Sequence, residues 1–286
     1  MTPAVSVIIP VYERPDQIVT AIGSVLEQTF SDFELIIVDD GSGPAVKAAV
    51  SSIDDSRIRM VRHETCCGAA AARNTGIQVA RAALVAFLDS DDEWMPCKLD
   101  VQVAFLIAAP ECRACVSAFF VRPKGGHADR LHVPAARRNI DDLLTVCDLS
   151  PGATLLADRS LFDDAGCFDP GFKRFEDWDW LFRCLDYSPV LTVPEPLARI
   201  HVGKWPEAAI VRQASGQLLD RHRERIRRLG LGSYLRFRSS LYYEIAAAAF
   251  KQGSPIVAGF YLSLSLILCP LAPRGLWRRL FCRKTG

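Results

Sequence analysis

Leu84-Val-Ala-Phe-Leu-Asp89-Ser-Asp91-Asp92-Glu-Trp94 is the stretch on which the fold turns. Five apolar residues, the length of a buried strand, stop abruptly at three carboxylates within four positions. Continuous apolar runs of this kind form parallel sheets, whose ligands bind beyond the carboxyl ends of the strands. Three acids crowded there repel one another unless a cation joins them. Mg²⁺ and Mn²⁺ take carboxylate oxygens and complete their shell with water and substrate phosphates. The competing reading is a helix-capping turn, since Asp caps helices and acids suit a first turn. Capping needs one acid, however, not three at the tip of an apolar strand. An EF-hand loop does not fit, because Trp94 stands where its sixth-position glycine belongs. The stretch therefore reads as a metal-nucleotide site.

Upstream, the pattern alternates. Val5–Pro10 reads as a strand, and Arg14–Gln28 has helical spacing at Ile18, Ala21, Ile22, Val25 and Leu26. Phe33–Val38 is a second buried strand, closed by the turn Asp39-Asp-Gly-Ser-Gly-Pro44. A helix over 45–53, a strand over 58–61 and a helix over 68–80 then lead to the strand at Leu84. Short links between alternating strands and helices imply parallel βαβ units. No GxGxxG follows the first strand and no GxxxxGK[ST] occurs, which argues against a dinucleotide dehydrogenase and a P-loop enzyme. Polar residues gather at the predicted strand ends: Tyr12, Glu13, Asp39, Asp40, Asp89, Asp91 and Asp92. Asp39 or Asp40 can accept hydrogen bonds from a base or ribose, or either can simply close an Asx turn with Gly41. Arg73 and Asn74 stand on a helix otherwise rich in alanine, where an arginine near three carboxylates and a phosphate has an electrostatic use.

Composition sets wider bounds. The 286 residues are 50% hydrophobic and 23% charged, as in a globular chain with a sizeable core. The net charge of +1 hides a split: residues 1–200 carry 19 Lys/Arg against 29 Asp/Glu, and residues 201–286 carry 15 against 4. A basic tail of this kind suits an anionic surface. Met1–Val11 lacks the basic and apolar regions of a signal peptide, so the ten cysteines are expected to be reduced, small and mostly buried. The lone Cys112-x-x-Cys115 has no second pair and predicts no zinc site.

At this point a resemblance enters. Val7-Ile-Ile-Pro10-Val-Tyr12, Val38-Asp-Asp-Gly-Ser42, Ala72-Arg-Asn-Thr-Gly76 and Phe87-Leu-Asp-Ser-Asp-Asp92 resemble, in residues, order and spacing, the family 2 glycosyltransferases of the GT-A fold. The resemblance implies an α/β fold, a mostly parallel sheet flanked by helices, and an enzyme that binds a nucleotide-diphosphate sugar, usually UDP-linked. It implies Mg²⁺ or Mn²⁺ on the acidic motif, with Asp89, Asp91 and Asp92 dividing ribose and metal contacts. Carried over by position, Asp39 contacts the base and Arg73 lies near the nucleotide, with Pro10, Tyr12, Glu13, Asp40, Asn74 and Ser90 completing the pocket. The family commonly has Asn where Glu13 stands and Thr-Asp where Gly43-Pro44 stand.

Downstream, 99–108 reads as a helix, 115–121 as a strand, 123–138 as a loop and Ser150–Ala157 as a strand entered through a Pro-Gly turn. Glu176-Asp177 opens a helix. It resembles the family's catalytic acidic motif, whose aspartate is the base, although first-turn acids also complement the helix dipole. Two short strands, 190–193 and 197–200, end at His201, a secondary metal candidate by resemblance. Beyond them the chain reads helical and basic, and the charge-free run 256–272 is expected to be buried or interfacial rather than membrane-spanning.

These readings give a catalytic domain over 1–205 and a helical basic extension over 206–286. The expected activity is inverting, metal-dependent sugar transfer to an acceptor hydroxyl, in polysaccharide or lipid-linked oligosaccharide synthesis. The expected partners are the sugar donor, a carbohydrate or lipid-linked acceptor and an anionic membrane surface, but not nucleic acid. The expected setting is cytoplasmic, with peripheral attachment at the inner face of the membrane. A nucleotidyltransferase is the near rival, releasing pyrophosphate instead of a nucleoside diphosphate. A non-catalytic nucleotide-sugar binder is the distant one, with no need for Glu176-Asp177.

Overall fold

A computed structural model describes residues 2–123, 128–145, 147–203 and 206–270. The chain divides into two compact units. The first comprises Met1–Asn139, Asp148–Gly171 and Glu176–Val202, and the second Ile140–Cys147, Phe172–Phe175 and Gly203–Gly286.

The first unit starts with β1 (Val5–Val11), α1 (Pro15–Leu26), β2 (Phe33–Asp39), α2 (Pro44–Ser51), β3 (Ile58–Arg62), α3 (Ala69–Val79) and β4 (Leu84–Phe87). β5 (Glu93–Trp94), α4 (Lys98–Ala108), β6 (Ala114–Arg122), β7 (Arg130–His132) and β8 (Arg137–Arg138) follow. After α5 (Ile140–Leu143), which belongs to the second unit, come α6 (Pro151–Thr154), β9 (Leu156–Asp158), α7 (Leu161–Asp164), α8 (Glu176–Cys184) and β10 (Val190–His201).

Among the described residues the ten strands join one sheet in the order β3-β2-β1-β4-β9-β6-β10-β5, with β7 on β6 and β8 on β10. β1 pairs in parallel with β2 and β4, and β2 with β3, while β9 runs antiparallel to β4 and β6. Every residue of β1 and β2 is buried, which is why both read as unbroken apolar runs. The chain winds outward from β1 to β3 and returns to β4 on the other side of β1. The crevice at that reversal is the switch point where open α/β sheets bind ligands. α1 buries Ile18, Ala21, Ile22 and Val25 at the predicted helical spacing, with Pro15 in its first turn. α3 lies flush on β1 because of Gly76: a β-carbon there would stand 2.4 Å from Ile8 Cγ2.

Four expectations need correction. Ser150–Ala157 is not a single strand, since Pro151 opens the short α6 and only Leu156–Asp158 pairs in the sheet. The two strands at 190–193 and 197–200 are one β10, whose register shifts around Pro196 absorb the prolines' missing N–H groups. The loop over 123–138 contains β7 and β8, with 124–127 outside the described residues. The cysteines are not mostly buried: Cys112, Cys115 and Cys184 are, but Cys66, Cys67, Cys97 and Cys167, in links between elements, are exposed.

In the second unit, α10 (Leu231–Lys251) packs against α9 (Ala208–Arg228) and α11 (Pro255–Leu268). Small residues let α10 and α11 approach: Ser239 Oγ donates to Ser265 O at 2.8 Å, and Ser265 Oγ returns a bond to Ser239 O at 2.8 Å. Among the described residues no helix is long and apolar enough to cross a membrane. The end of the apolar run at 271–272, and Arg274, Arg278 and Arg279, lie outside the described residues.

Candidate active site

The parallel register sets Val11 beside Asp39 and Ile8 beside Phe87, so β1, β2 and β4 deliver their following turns to one edge. Asp39, at the end of β2, is fully buried. Its Oδ1 accepts the Ser42 N–H at 2.9 Å and its Oδ2 accepts Arg62 Nη1 at 2.7 Å. Asp40 is equally enclosed. Cys67 N and His63 Nδ1 reach its Oδ1 at 2.9 and 2.7 Å, and Gly68 N and Cys66 Sγ reach its Oδ2 at 2.7 and 3.2 Å. Burial alone would raise its pKa, but these hydrogen bonds outweigh burial and hold the carboxyl below its ordinary value. Glu13 locks the same turn by accepting the Gly43 N–H at 2.7 Å, while its own N–H donates to Ser42 Oγ at 3.0 Å. Pro10 is buried in β1, opposite Val38, and Tyr12 is exposed at the rim.

The turn after β4 is built differently. Asp92 is buried and accepts one hydrogen bond, from the His201 N–H at 2.8 Å. Burial, with Asp89 and Asp91 close by, pushes its pKa up to about 9. Asp91 is raised by burial and by Asp89, although Arg14 Nη1, 2.7 Å away, pulls it back. Ser90 is buried, with Arg14 Nη1 3.4 Å from its Oγ. His201 holds Nε2 3.3 Å from Glu93 Oε1, and its Nδ1 is buried with no hydrogen-bond partner.

Arg73 ties this turn to α8. It is buried on α3, and its guanidinium reaches Asp89 Oδ1 at 2.6 Å and Glu176 Oε1 at 2.9 Å. Burial opposes its charge, yet the two carboxylates more than compensate and raise its pKa. Gly152 of α6 closes the pair: a β-carbon there would stand 2.5 Å from Asp89 Oδ2 and 2.9 Å from Arg73 Nη2. Asn74, expected at the nucleotide, clamps the main chain of Phe168, donating to its carbonyl at 2.7 Å and accepting its N–H at 3.0 Å. α8 is anchored by aromatic packing, with Trp180 stacked on Phe162 at 4.6 Å and tilted against Phe168 at 5.7 Å. Asp177 is half-buried in its first turn, beside the Arg73-bound Glu176.

Backbone strain marks the same places. Among the described residues, the non-glycine positions with left-handed φ are Glu13 (53°), Ser150 (46°) and Phe175 (68°). They stand just after β1, two residues before Gly152 and immediately before Glu176. Such conformations cost about 1–3 kcal/mol each and cluster at ligand sites.

Two acid groups are candidates for a cation. Donor atoms of Asp40, His63 and Cys67 lie within 4.8 Å of one another, a closeness that the donors of Asp89, Asp91, Asp92 and His201 do not share among the described residues. Closeness alone does not decide. Asp40 is already satisfied by donors, and His63 bonds Thr75 Oγ1 at 2.9 Å with its other nitrogen. The 89–92 turn offers hard oxygen ligands, one of them a buried carboxyl driven toward its neutral form and bound by the His201 main-chain N–H. That set fits a divalent cation.

Sequence reasoning missed Arg14, Arg62, His63 and Gly152. Arg62 and His63 were findable, because β3 is parallel to β2 and its end must reach the same edge. Arg14 and Gly152 act through partners far along the chain and leave no local signal.

An open α/β sheet flanked by helices, with acids at its switch point and a second acidic motif on an anchored helix, is an architecture of the GT-A type. The chain belongs to glycosyl transferase family 2, whose pattern matches residues 6–166. Among its relatives, the Escherichia coli UDP-Glc:alpha-D-GlcNAc-diphosphoundecaprenol beta-1,3-glucosyltransferase WfgD is 41% identical over 103 residues, 36% of this chain and 41% of that protein. The amylovoran biosynthesis glycosyltransferase AmsB of Erwinia amylovora is 42% identical over 105 residues, 35% of each. The chain thus spans about two fifths of the length of its Escherichia coli relatives and about a third of AmsB. In fold it is similar to the mannosyltransferase PcManGT from Pyrobaculum calidifontis in complex with GDP-Man and Mn²⁺, with TM-score 0.64, 19% identity, and 98% and 84% of the two chains covered. S. aureus TarS 1-349 in complex with UDP-GlcNAc gives TM-score 0.61 at 16% identity, covering 98% and 93%.

Proposed function

We propose that this chain is an inverting glycosyltransferase that moves a sugar from a UDP-linked donor to an acceptor hydroxyl in cell-surface polysaccharide or lipid-linked oligosaccharide synthesis. The observation that carries the reading is the Asp89–Arg73–Glu176 bridge, centred on the buried Arg73, which joins the acidic turn at the sheet's switch point to the acidic start of α8. The family and its relatives in surface-glycan synthesis support the same class of reaction.

Each residue then has a task. Asp39 would accept a hydrogen bond from the base in exchange for one of its present donors, Ser42 or Arg62, and Tyr12 lies at the rim for stacking. Asp89, Asp91 and Asp92, with His201, would hold Mg²⁺ or Mn²⁺. Bound there, the ion supplies Lewis-acid neutralisation of the departing diphosphate. Arg73 fixes the Asp89 and Glu176 carboxylates. Asp177 takes the proton from the acceptor hydroxyl as its oxygen attacks the anomeric carbon from the face opposite the leaving group. Glu176 is engaged with Arg73, and the aspartate of the pair is the base that the family resemblance implies.

The test is a screen of nucleotide sugars with Mn²⁺, reading nucleoside diphosphate release, followed by transfer assays of Asp177→Asn and Glu176→Gln. A transferase releases the diphosphate, a nucleotidyltransferase would give pyrophosphate, and a binding protein would give neither. Asp177→Asn should slow transfer by at least ~10²-fold, the scale of general-base loss, with donor affinity within a few-fold. Normal transfer by Asp177→Asn would remove it as the base. The exposed apolar side of α11 and the basic residues of α9 support peripheral contact with an anionic membrane.

A further inference from the structure

The helical unit holds a cavity of about 230 Å³ that the transfer reaction does not use. It is lined from α9, α10 and α11, and its walls include Arg212, Ser215, Leu219, Arg238, Tyr242 and Tyr261. Two of its polar atoms are orphans. Ser215 is 4% exposed and its Oγ has no hydrogen-bond partner, and Arg238 Nε is likewise buried without one. A buried donor left unpaired is costly, so such atoms in a cavity wall ask for an acceptor.

The charges point the same way. Arg238 is oriented but not neutralised: it donates to Tyr242 Oη at 2.7 Å, and its guanidinium lies over the Tyr234 and Tyr242 rings at 5.8 and 5.5 Å. Neither Arg238 nor Arg212 has a carboxylate partner among the described residues. Two guanidinium groups, a hydroxyl and a tyrosine around one small space suit the oxygens of a phosphate ester.

The surroundings add hydrocarbon. Ile256, Phe260 and Ile267 of α11 are 87%, 60% and 75% exposed, and the Phe260 ring packs edge-on against the cavity's Tyr261 at 5.3 Å. The cavity wall is itself mostly apolar, with Leu219, Leu241 and Ile245 beside the two arginines, and its Tyr261 meets the exposed side of α11 at Phe260. With 14 residues α11 is about 21 Å long, too short to span a bilayer but suited to lie within its surface. We infer that this cavity takes the phosphate headgroup of an anionic membrane lipid, whose chains run along the exposed side of α11. The inference deepens the membrane contact proposed above and does not depend on the sugar-transfer reading.

The full-length protein should float with vesicles of phosphatidylcholine mixed with phosphatidylglycerol and not with phosphatidylcholine alone. Arg238→Gln should weaken binding on the order of fivefold, the scale for one arginine at such a surface. Gly216→Leu provides a second variant, because a β-carbon at that cavity-lining position meets nothing within 4 Å and the longer side chain can fill the space without unfolding the helix. It should weaken binding while leaving net charge unchanged. Short-chain phosphatidic acid should compete, and inorganic phosphate at equal ionic strength should not. Undiminished flotation of both variants would mean diffuse charge attraction with no site, and equal competition by inorganic phosphate would mean a free-anion site. Donor hydrolysis followed in parallel reports on the transferase reading separately.

Discussion

Two acidic turns stand at one edge of the same sheet and treat their carboxylates in opposite ways. After β2, Asp39 and Asp40 are buried and every carboxylate oxygen meets a donor from the protein itself. After β4, Asp92 is as deeply buried, but its neighbours are mostly other acids. The first turn is electrostatically complete and shifts its acid toward the charged form. The second is incomplete and shifts its acid toward the neutral form. Burial of an aspartate therefore says little until its partners are counted, and the incomplete turn is the one that asks for a cation.

The largest effect that contrast predicts is at the incomplete turn. Asp91→Ala with Asp92→Ala should lower donor turnover by several kcal/mol of barrier, on the order of 10³-fold. EDTA should reproduce the loss in the wild type until Mn²⁺ returns. The double variant should nevertheless melt no lower than the metal-free wild type, because like-charge crowding is relieved. Full activity in the variant, or a marked loss of metal-free stability, would break the contrast between the turns. Calorimetric titration with Mn²⁺ gives a second readout, in which the variant should lose the heat of binding.

The complete turn should show the reverse. Asp40→Asn turns an amide NH₂ toward the Gly68 or Cys67 N–H, so donors face donors in a buried place. A loss of about 3 kcal/mol of stability is expected, indifferent to EDTA. Its pH dependence has a definite sign. The folded pKa of Asp40 lies below its unfolded value, so the carboxylate's stabilisation is present above about pH 4 and disappears as pH falls through the folded value. Urea titrations of both proteins at pH 7 and at pH 3 should show the gap narrowing in acid. A gap of constant size would mean that packing, not charge, is what the variant loses.

The two turns were not equally legible in the sequence, and neither were the two halves of the sheet. β1, β2 and β4 are parallel and largely buried on both faces, so their apolar runs and the acids that follow β2 and β4 are written locally. The other half depends on tertiary pairing. β9 is three residues long and antiparallel to both neighbours, and it was read as part of a longer strand because Pro151-Gly152 opens a helix there. β10 looked like two strands because Pro194 and Pro196 interrupt its pattern, whereas register shifts carry it through. Within the site, the three acids of the second turn announced themselves, but what surrounds each one did not. The sequence marks Arg73 as a site residue but not its partners, Asp89, 16 positions away, and Glu176, 103 positions away. Only the fold determines such distant partners.

A buried base tests the same rule with the opposite charge and gives the smallest expected effect. Lys98 on α4 is wholly buried, with Nζ donating to Gln102 Oε1 and lying 4.1 Å from the Trp94 ring centre. Among the described residues no carboxylate pairs with it, and the neighbouring Cys115 thiol, itself pushed up by burial to about 12, stays neutral at pH 7. Burial lowers the Lys98 pKa from 10.5 to about 7. Between pH 7 and about 10.4 the unfolded chain therefore holds a proton that the folded chain has released, and stability contributed at this site rises with pH across that window. Lys98→Met keeps the apolar stem and removes the charge. It should stabilise the protein by about 1–2 kcal/mol at pH 6, as replacement of buried charges by apolar groups does, and by clearly less at pH 9. Chemical denaturation of both proteins at the two pH values measures the difference directly. If Lys98→Met is destabilising at pH 6 and the gap widens at pH 9, the lysine titrates as stated and the variant loses packing or the Gln102 hydrogen bond as well. An equal gap at both values would mean that Lys98 does not titrate in this range, and that burial without a carboxylate partner is tolerated by a base where Asp92 does not tolerate it.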